Sequence, residues 1–171
     1  MKLRTAFFLA MLAASGLILL ALRGRPVPLY LWNASASVPV GLYRLLPTSE
    51  RFVSELVAVR PPQDLATFLA DRHYLPRDVP MLKHVMALPQ QTVCRQGSVV
   101  SVDGWVIGQA REHDSRNRPL PVWRGCRILR ADELFLMNPQ SQDSLDGRYF
   151  GPLPRSAVIG RALPVWPRAE H

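Results

Sequence analysis

Cysteine is almost absent from this chain of 171 residues: Cys94 and Cys126 are the only two. Neither a four-cysteine zinc site nor a disulfide-rich framework can be built from them. Two outcomes stay open. One is a single disulfide closing residues 95–125 into a loop, which would stabilise the fold by roughly 3 to 4 kcal/mol in an oxidising compartment. The other is a pair of unbonded thiols. Acid is also scarce, with 13 Asp and Glu against 21 Lys and Arg and a net charge of +8. That excess suits an anionic lipid surface. It is scattered rather than gathered into a recognition helix or basic tail, so nucleic acid is not an expected partner. Internal repeats and low-complexity segments are missing, and the length suits one domain with a sizeable core plus an attached anchor.

What is present begins with an apolar run. Lys2 and Arg4 precede Thr5 to Leu22, which carries no charged side chain, and Arg23 and Arg25 close it. As a helix it would be about 27 Å long, enough for a thin bilayer. Residues 1–25 are therefore read as a membrane anchor or uncleaved signal segment. The small residues Ala13-Ala14-Ser15 lie inside the run rather than after it, which disfavours cleavage. Basic residues at both ends leave the orientation open. Pro26 and Pro28 cannot continue a helix, and residues 26–171 form the expected soluble domain. Leu29 to Trp32 suits either a membrane interface or core packing.

Beyond Gly41 the pattern is mostly that of strands. Leu42 to Leu46 and Phe52 to Val59 are short apolar stretches broken by Pro47 and by Pro61-Pro62. Gln63 to Tyr74 carries the one clear helical spacing, with Leu65, Phe68, Leu69 and Arg72 on adjoining turns. Val99 to Gly108 predicts a hairpin turning at Asp103-Gly104, and Arg111 to Pro121 a solvated loop. Arg127 to Leu129, Leu134 to Asn138 and Ala157 to Trp166 read as further strands, the last ending at Pro164 and Pro167.

Three stretches carry chemistry. In Asn33 to Gly41, N-A-S-A-S-V-P-V-G, Ser35 and Ser37 stand two apart, so an extended chain points both hydroxyls the same way. In Met81 to Leu88, M-L-K-H-V-M-A-L, Lys83 sits in an apolar run, where burial would lower its pKa and leave a neutral amine able to take a proton. His84 would point to the opposite face. In Asn138 to Gly151, Ser144, Asp146 and Arg148 alternate among turn formers. Taken singly, each also fits an ordinary loop, a snorkelling strand lysine or a turn.

Together and in this order, S-A-S-V-P, K-H-V-M-A-L-P and D-S-L-D-G-R-Y-F-G resemble the three motif boxes of type I signal peptidases, the membrane-bound serine-lysine proteases. The resemblance runs from about Asn33 to Trp166. The V-P-V-G-L-Y form, the small size and the helix-bearing insert are most similar to conjugative-transfer peptidases of the TraF type. It implies a mainly β, coiled, barrel-like catalytic domain with one short helix insert behind an N-terminal anchor helix. It implies Ser37 as nucleophile, Lys83 as general base, Ser35 and Ser37 around the oxyanion, and Ser144 and Asp146 holding the lysine. No metal or cofactor is implied. The expected partners are an exported precursor or pilin, membrane lipid and other transfer-apparatus components. The expected location is an inner-membrane anchor with the catalytic domain in the periplasm. The sequence departs from the family's usual Lys-Arg, L-P-G-D and G-D-N at Lys83-His84, Leu88 to Gln91 and Asn138 to Gln140. Rival readings are a general signal peptidase acting on many precursors and a non-catalytic envelope component of a transfer channel.

Overall fold

The computed structural model describes residues 2–22, 28–47 and 50–167, with the side chains of the first helix described over residues 4–17. That helix, α1, spans Lys2–Leu22. Eleven strands follow: β1 (Tyr30–Asn33), β2 (Gly41–Leu46), β3 (Leu56–Val59), β4 (Met81–Ala87), β5 (Thr92–Gln96), β6 (Val99–Val102), β7 (Trp105–Gln109), β8 (Gly125–Ile128), β9 (Glu133–Met137), β10 (Leu153–Pro154) and β11 (Val158–Pro167). Helix α2 (Gln63–Asp71) lies between β3 and β4, and the single turn α3 (Gly147–Phe150) lies between β9 and β10. Among the described residues, no helix is long and apolar enough to cross a membrane.

The strands form two antiparallel sheets. One has seven strands in the order β1-β2-β11-β3-β4-β9-β10, the other four in the order β7-β6-β5-β8. Irregularities in register at Pro164/Trp166, Val158/Gly160 and Val85/Ala87 bend the larger sheet. The mainly β architecture agrees with the expectation, but its sheet is divided in two and α3 adds a second helix after α1 to the one expected.

Strand β9, E-L-F-L-M, explains the division. All five residues are buried. Leu134 and Leu136 belong to a core with Val57, Val59, Met81 and Val85, and Phe135 and Met137 to a second core with Ala87, Val93, Val100 and Leu129. Alternate residues thus face two different cores, so Leu134 to Met137 is apolar throughout rather than alternating. A third core of Val38, Tyr43, Leu45, Ala58, Leu82 and Ala162 lies near the serine stretch.

Several boundaries differ from the sequence reading: the helix ends at Asp71 rather than Tyr74, and β8 is Gly125–Ile128 rather than Arg127 to Leu129. Strand β3 starts at Leu56 rather than Phe52, because the chain turns through Ser54 at φ 69°. Tyr30–Asn33 is a strand, pairing Trp32 with Leu42. Strand β11 continues through Pro164, where the register shift accommodates a residue with no amide proton. The Asp103-Gly104 hairpin is present as expected. Cys94 and Cys126 are register partners of β5 and β8 and are joined by a disulfide.

Candidate active site

The serine stretch is a turn between the edge strand β1 and its neighbour β2, built around Asn33. The Asn33 Nδ2 donates to the carbonyls of Ser35 at 2.8 Å, Val38 at 3.0 Å and Pro39 at 3.1 Å. Its Oδ1 accepts from the Ser35 amide at 3.2 Å and from Ser35 Oγ at 2.9 Å. Val38 is buried, and Tyr43 donates its hydroxyl to the Pro39 carbonyl at 2.6 Å, so the far end of the turn is pinned to the core. The two hydroxyls lie 3.0 Å apart. Since Ser35 has one hydroxyl proton and gives it to Asn33, the proton between the pair belongs to Ser37.

Lys83 is on β4, alternating with Met81 and Val85, so its stem runs along an apolar face. It is only 4% exposed and donates to Ser144 Oγ at 2.6 Å. Burial pushes its pKa down from 10.5 to about 8, against an opposing pull from the Asp146 carboxylate, while the Arg148 guanidinium adds to the lowering. His84 takes the other direction along the strand and meets Asn138 Oδ1 through Nδ1 at 3.1 Å.

The segment 138–148 is organised by a buried ion pair. Asp146 is 0% and Arg148 1% exposed, and Arg148 Nε meets Asp146 Oδ1 at 2.9 Å. Asp146 also accepts from the Asn138 and Arg148 amides, capping α3. Arg148 Nη2 donates to the carbonyls of Ser141 at 2.6 Å and Ser144 at 3.1 Å. The sequence reading had Asp146 holding the lysine alongside Ser144. Here Ser144 makes the hydrogen bond, and Asp146 acts on Lys83 through its charge while its oxygens bind Arg148 and the backbone. Gly147 is required at this point: a Cβ there would lie 2.8 Å from the Leu136 carbonyl and 2.7 Å from the Phe135 ring.

Ser35, Ser37, Lys83 and Ser144 all line one cleft of about 510 Å³, with Asp146 behind Ser144. Sequence reasoning missed Asn33 and Asn138. Asn138 is fully buried and ties β9 to β4, donating to the Leu82 carbonyl and accepting from the His84 amide. A polar residue ending the apolar run L-F-L-M-N was the available signal. It also missed the buried Arg95, which binds the Arg148 carbonyl and joins the small sheet to α3.

A family model described as signal peptidase, peptidase S26, matches residues 1–166. The chain is 34% identical over 146 residues to a probable conjugal transfer protein TraF of Sinorhizobium fredii, covering 80% of this chain and 76% of that protein. It is 30% identical over 142 residues to a plasmid transfer protein TraF of Escherichia coli, covering 78% and 80%. It is 32% identical over 149 residues to a conjugal transfer protein TraF of Agrobacterium fabrum, covering 80% and 82%. Among solved structures, a signal peptidase I of Enterococcus faecalis aligns at 15% identity with a TM-score of 0.41, covering 67% of this chain and 98% of that one.

Proposed function

Because the chain belongs to the signal peptidase family, peptidase S26, we propose that it is a membrane-bound serine endopeptidase that matures an exported precursor of a conjugative transfer apparatus, its pilin. The single observation that carries the mechanism is a buried lysine whose pKa is lowered to about 8, sharing a cleft with the Ser35 and Ser37 hydroxyls. A serine hydroxyl needs a base to become a nucleophile, and a neutral amine supplies one without histidine. Ser37 attacks the precursor carbonyl while Lys83 takes its proton, and Ser144 keeps the amine aimed. The Ser37 amide and Ser35 Oγ stabilise the oxyanion, a contribution typically about 3 to 4 kcal/mol per donor. For this, Ser35 turns its proton from Asn33 to the oxyanion. Lys83 then returns its proton to the leaving amine, and the acyl group passes to water or, giving a cyclic product, to an amine of the precursor.

The relatives, named as conjugal and plasmid transfer proteins, support a substrate that belongs to a transfer apparatus. The membrane anchor is residues 1–25, with Lys2 and Arg4 cytoplasmic and residues 26–171 in the periplasm. An aromatic surface supports seating the domain against the membrane: Tyr30 and Trp32 of β1, next to the serine turn, and Trp166 of β11 are 53%, 53% and 73% exposed. Such side chains settle at the lipid–water boundary.

The test is the intact mass of the pilin candidate from cells with and without this protein. A shortened product only when the protein is present is the expected result, and one water less than the linear chain identifies cyclisation. Equal processing in both strains overturns the proposal. Activity of the isolated enzyme is expected to rise with pH through about 8, as Lys83 loses its proton, and then level off. A flat profile from pH 6 to 10 would exclude a lysine base. Asn33→Ala, which removes the centre of the serine turn, is expected to lower kcat about 10- to 100-fold with little change in KM. Steady-state kinetics on a precursor peptide would reveal this, and an unaltered kcat would mean the turn keeps its shape unaided.

A further inference from the structure

One side of the cleft takes no part in acyl transfer. It is formed by Leu69 at the end of α2 and by Tyr74, Leu75, Pro76, Val79 and Pro80 of the segment that follows. Residues 72–80 contain no helix or strand. They turn through left-handed φ values of 56° at His73 and 63° at Asp78, conformations that non-glycine residues rarely adopt. Local backbone bonds hold its two turns: the amides of His73, Tyr74 and Leu75 donate back to Ala70 and Leu69, and that of Val79 donates to Pro76.

Its side chains are tied in addition to the polar loop 111–121. Tyr74 donates its hydroxyl to Asp114. Asp114 also accepts from the amides of Arg116 and Arg118 at 2.9 and 2.8 Å, and from Arg118 Nε at 2.7 Å. The Arg118 guanidinium lies 4.7 Å over the Tyr74 ring and donates to the Arg72 carbonyl at 2.9 Å. Arg72 in turn donates to the Pro119 carbonyl at 2.8 Å. The same loop reaches the other end of the cleft, where Arg111 pairs with Asp143. The charges of Asp114 and Arg118 are therefore engaged with each other, and the surface presented to the cleft by Leu69, Leu75, Val79 and the Tyr74 ring is apolar.

We propose that Leu69, Tyr74, Leu75 and Val79 form a substrate subsite for a bulky apolar side chain of the precursor, and that Asp114 and Arg118 are its positioning residues. The proposal rests on the peptidase reading above. Size argues for it, because a cleft of about 510 Å³ has room for a bulky side chain. Chemistry argues for it as well, because an apolar wall leaves a charged substrate group without partners. Continuity supplies the occupant: this wall and Ser37 border the same cleft, so a peptide bound for cleavage lies along both.

The experiment uses the full-length protein in lipid and peptides spanning the processed site, each position varied in turn among Ala, Leu, Phe, Asp and Lys. At one position, Leu or Phe is expected to exceed Asp by at least about 10-fold in kcat/KM. Val79→Asp, at a solvent-exposed position, should shift that position alone towards Lys. Tyr74→Phe, Asp114→Asn and Arg118→Met should each weaken the preference through KM rather than kcat. The Tyr74→Phe/Asp114→Asn double variant should do no more than either single one, since both break the same bond. If the wild type cleaves and Ser37→Ala does not, yet Val79→Asp leaves every preference in place, the subsite is wrong and the peptidase stands. A uniform loss of kcat in the loop variants would also overturn it. If the wild type cleaves nothing that cells process, the peptidase reading falls and the subsite with it.

Discussion

Replacing Ser37 by Ala or Lys83 by Met is expected to take precursor processing to background, a loss of about 10⁴-fold or more, with the double variant no worse than either single one. Nucleophile and base act as a unit, so removing the second loses nothing further. The stability of the two variants should differ in a diagnostic way. Lys83 has a folded pKa of about 8 against an ordinary 10.5. Between these values the unfolded chain holds a proton that the folded chain has lost, so stability rises with pH across that window. Below pH 8 the lysine is charged in both states and its burial costs about 3 kcal/mol. Lys83→Met keeps the apolar stem and removes the charge. It should match or exceed the wild type in urea unfolding at pH 7, by up to that amount, and should lack the rise from pH 8 to 10. A Lys83→Met protein that is inactive because it is unfolded would contradict this account.

The largest effect on stability is expected at Arg148. Its guanidinium faces Asp146 and four backbone carbonyls, at Gln109, Asn138, Ser141 and Ser144, in a setting almost closed to water. Arg148→Met leaves the Asp146 carboxylate buried without its partner, which typically costs about 3 to 5 kcal/mol. Against a total stability of roughly 5 to 15 kcal/mol, that is enough to unfold a substantial fraction of the protein on warming. Arg148→Lys should recover little, because one ammonium cannot reach the carboxylate and the carbonyls at once. Activity should fall in the folded fraction as well, since Arg148 also holds the Ser144 carbonyl. Thermal unfolding and activity at a temperature where the variant is folded measure the two effects. A variant as stable as the wild type would mean that water enters to solvate Asp146.

Much of the fold was legible from local pattern. The Asp103-Gly104 hairpin, the helix from Gln63 and most strands follow from turn chemistry and periodicity, which depend on neighbouring residues alone. The misplaced boundaries share a different cause. The start of β3 is set by a left-handed turn at Ser54, and the passage of β11 through Pro164 by a register shift against β2. Neither can be seen without the partner strand. Missing Asn33 had the same origin: an asparagine before two serines reads as a turn former, and its five hydrogen bonds exist only once the turn has closed.

The sequence by itself determined the family, because three short motifs in one order across the soluble chain are rarely produced by unrelated loops. It also singled out Ser35, Ser37, Lys83, Ser144 and Asp146 as the residues to examine. Only the tertiary structure decided how they relate. Lys83 and Ser144 are far apart in the chain and meet because β4 and β9 pair, bringing 138–146 over the lysine. The depth of burial that lowers the lysine pKa is a property of packing from several elements, and no single stretch of residues carries it. The assignment of Asp146 to Arg148, and the apolar wall beyond α2 with its anchoring loop, likewise come from contacts between distant segments.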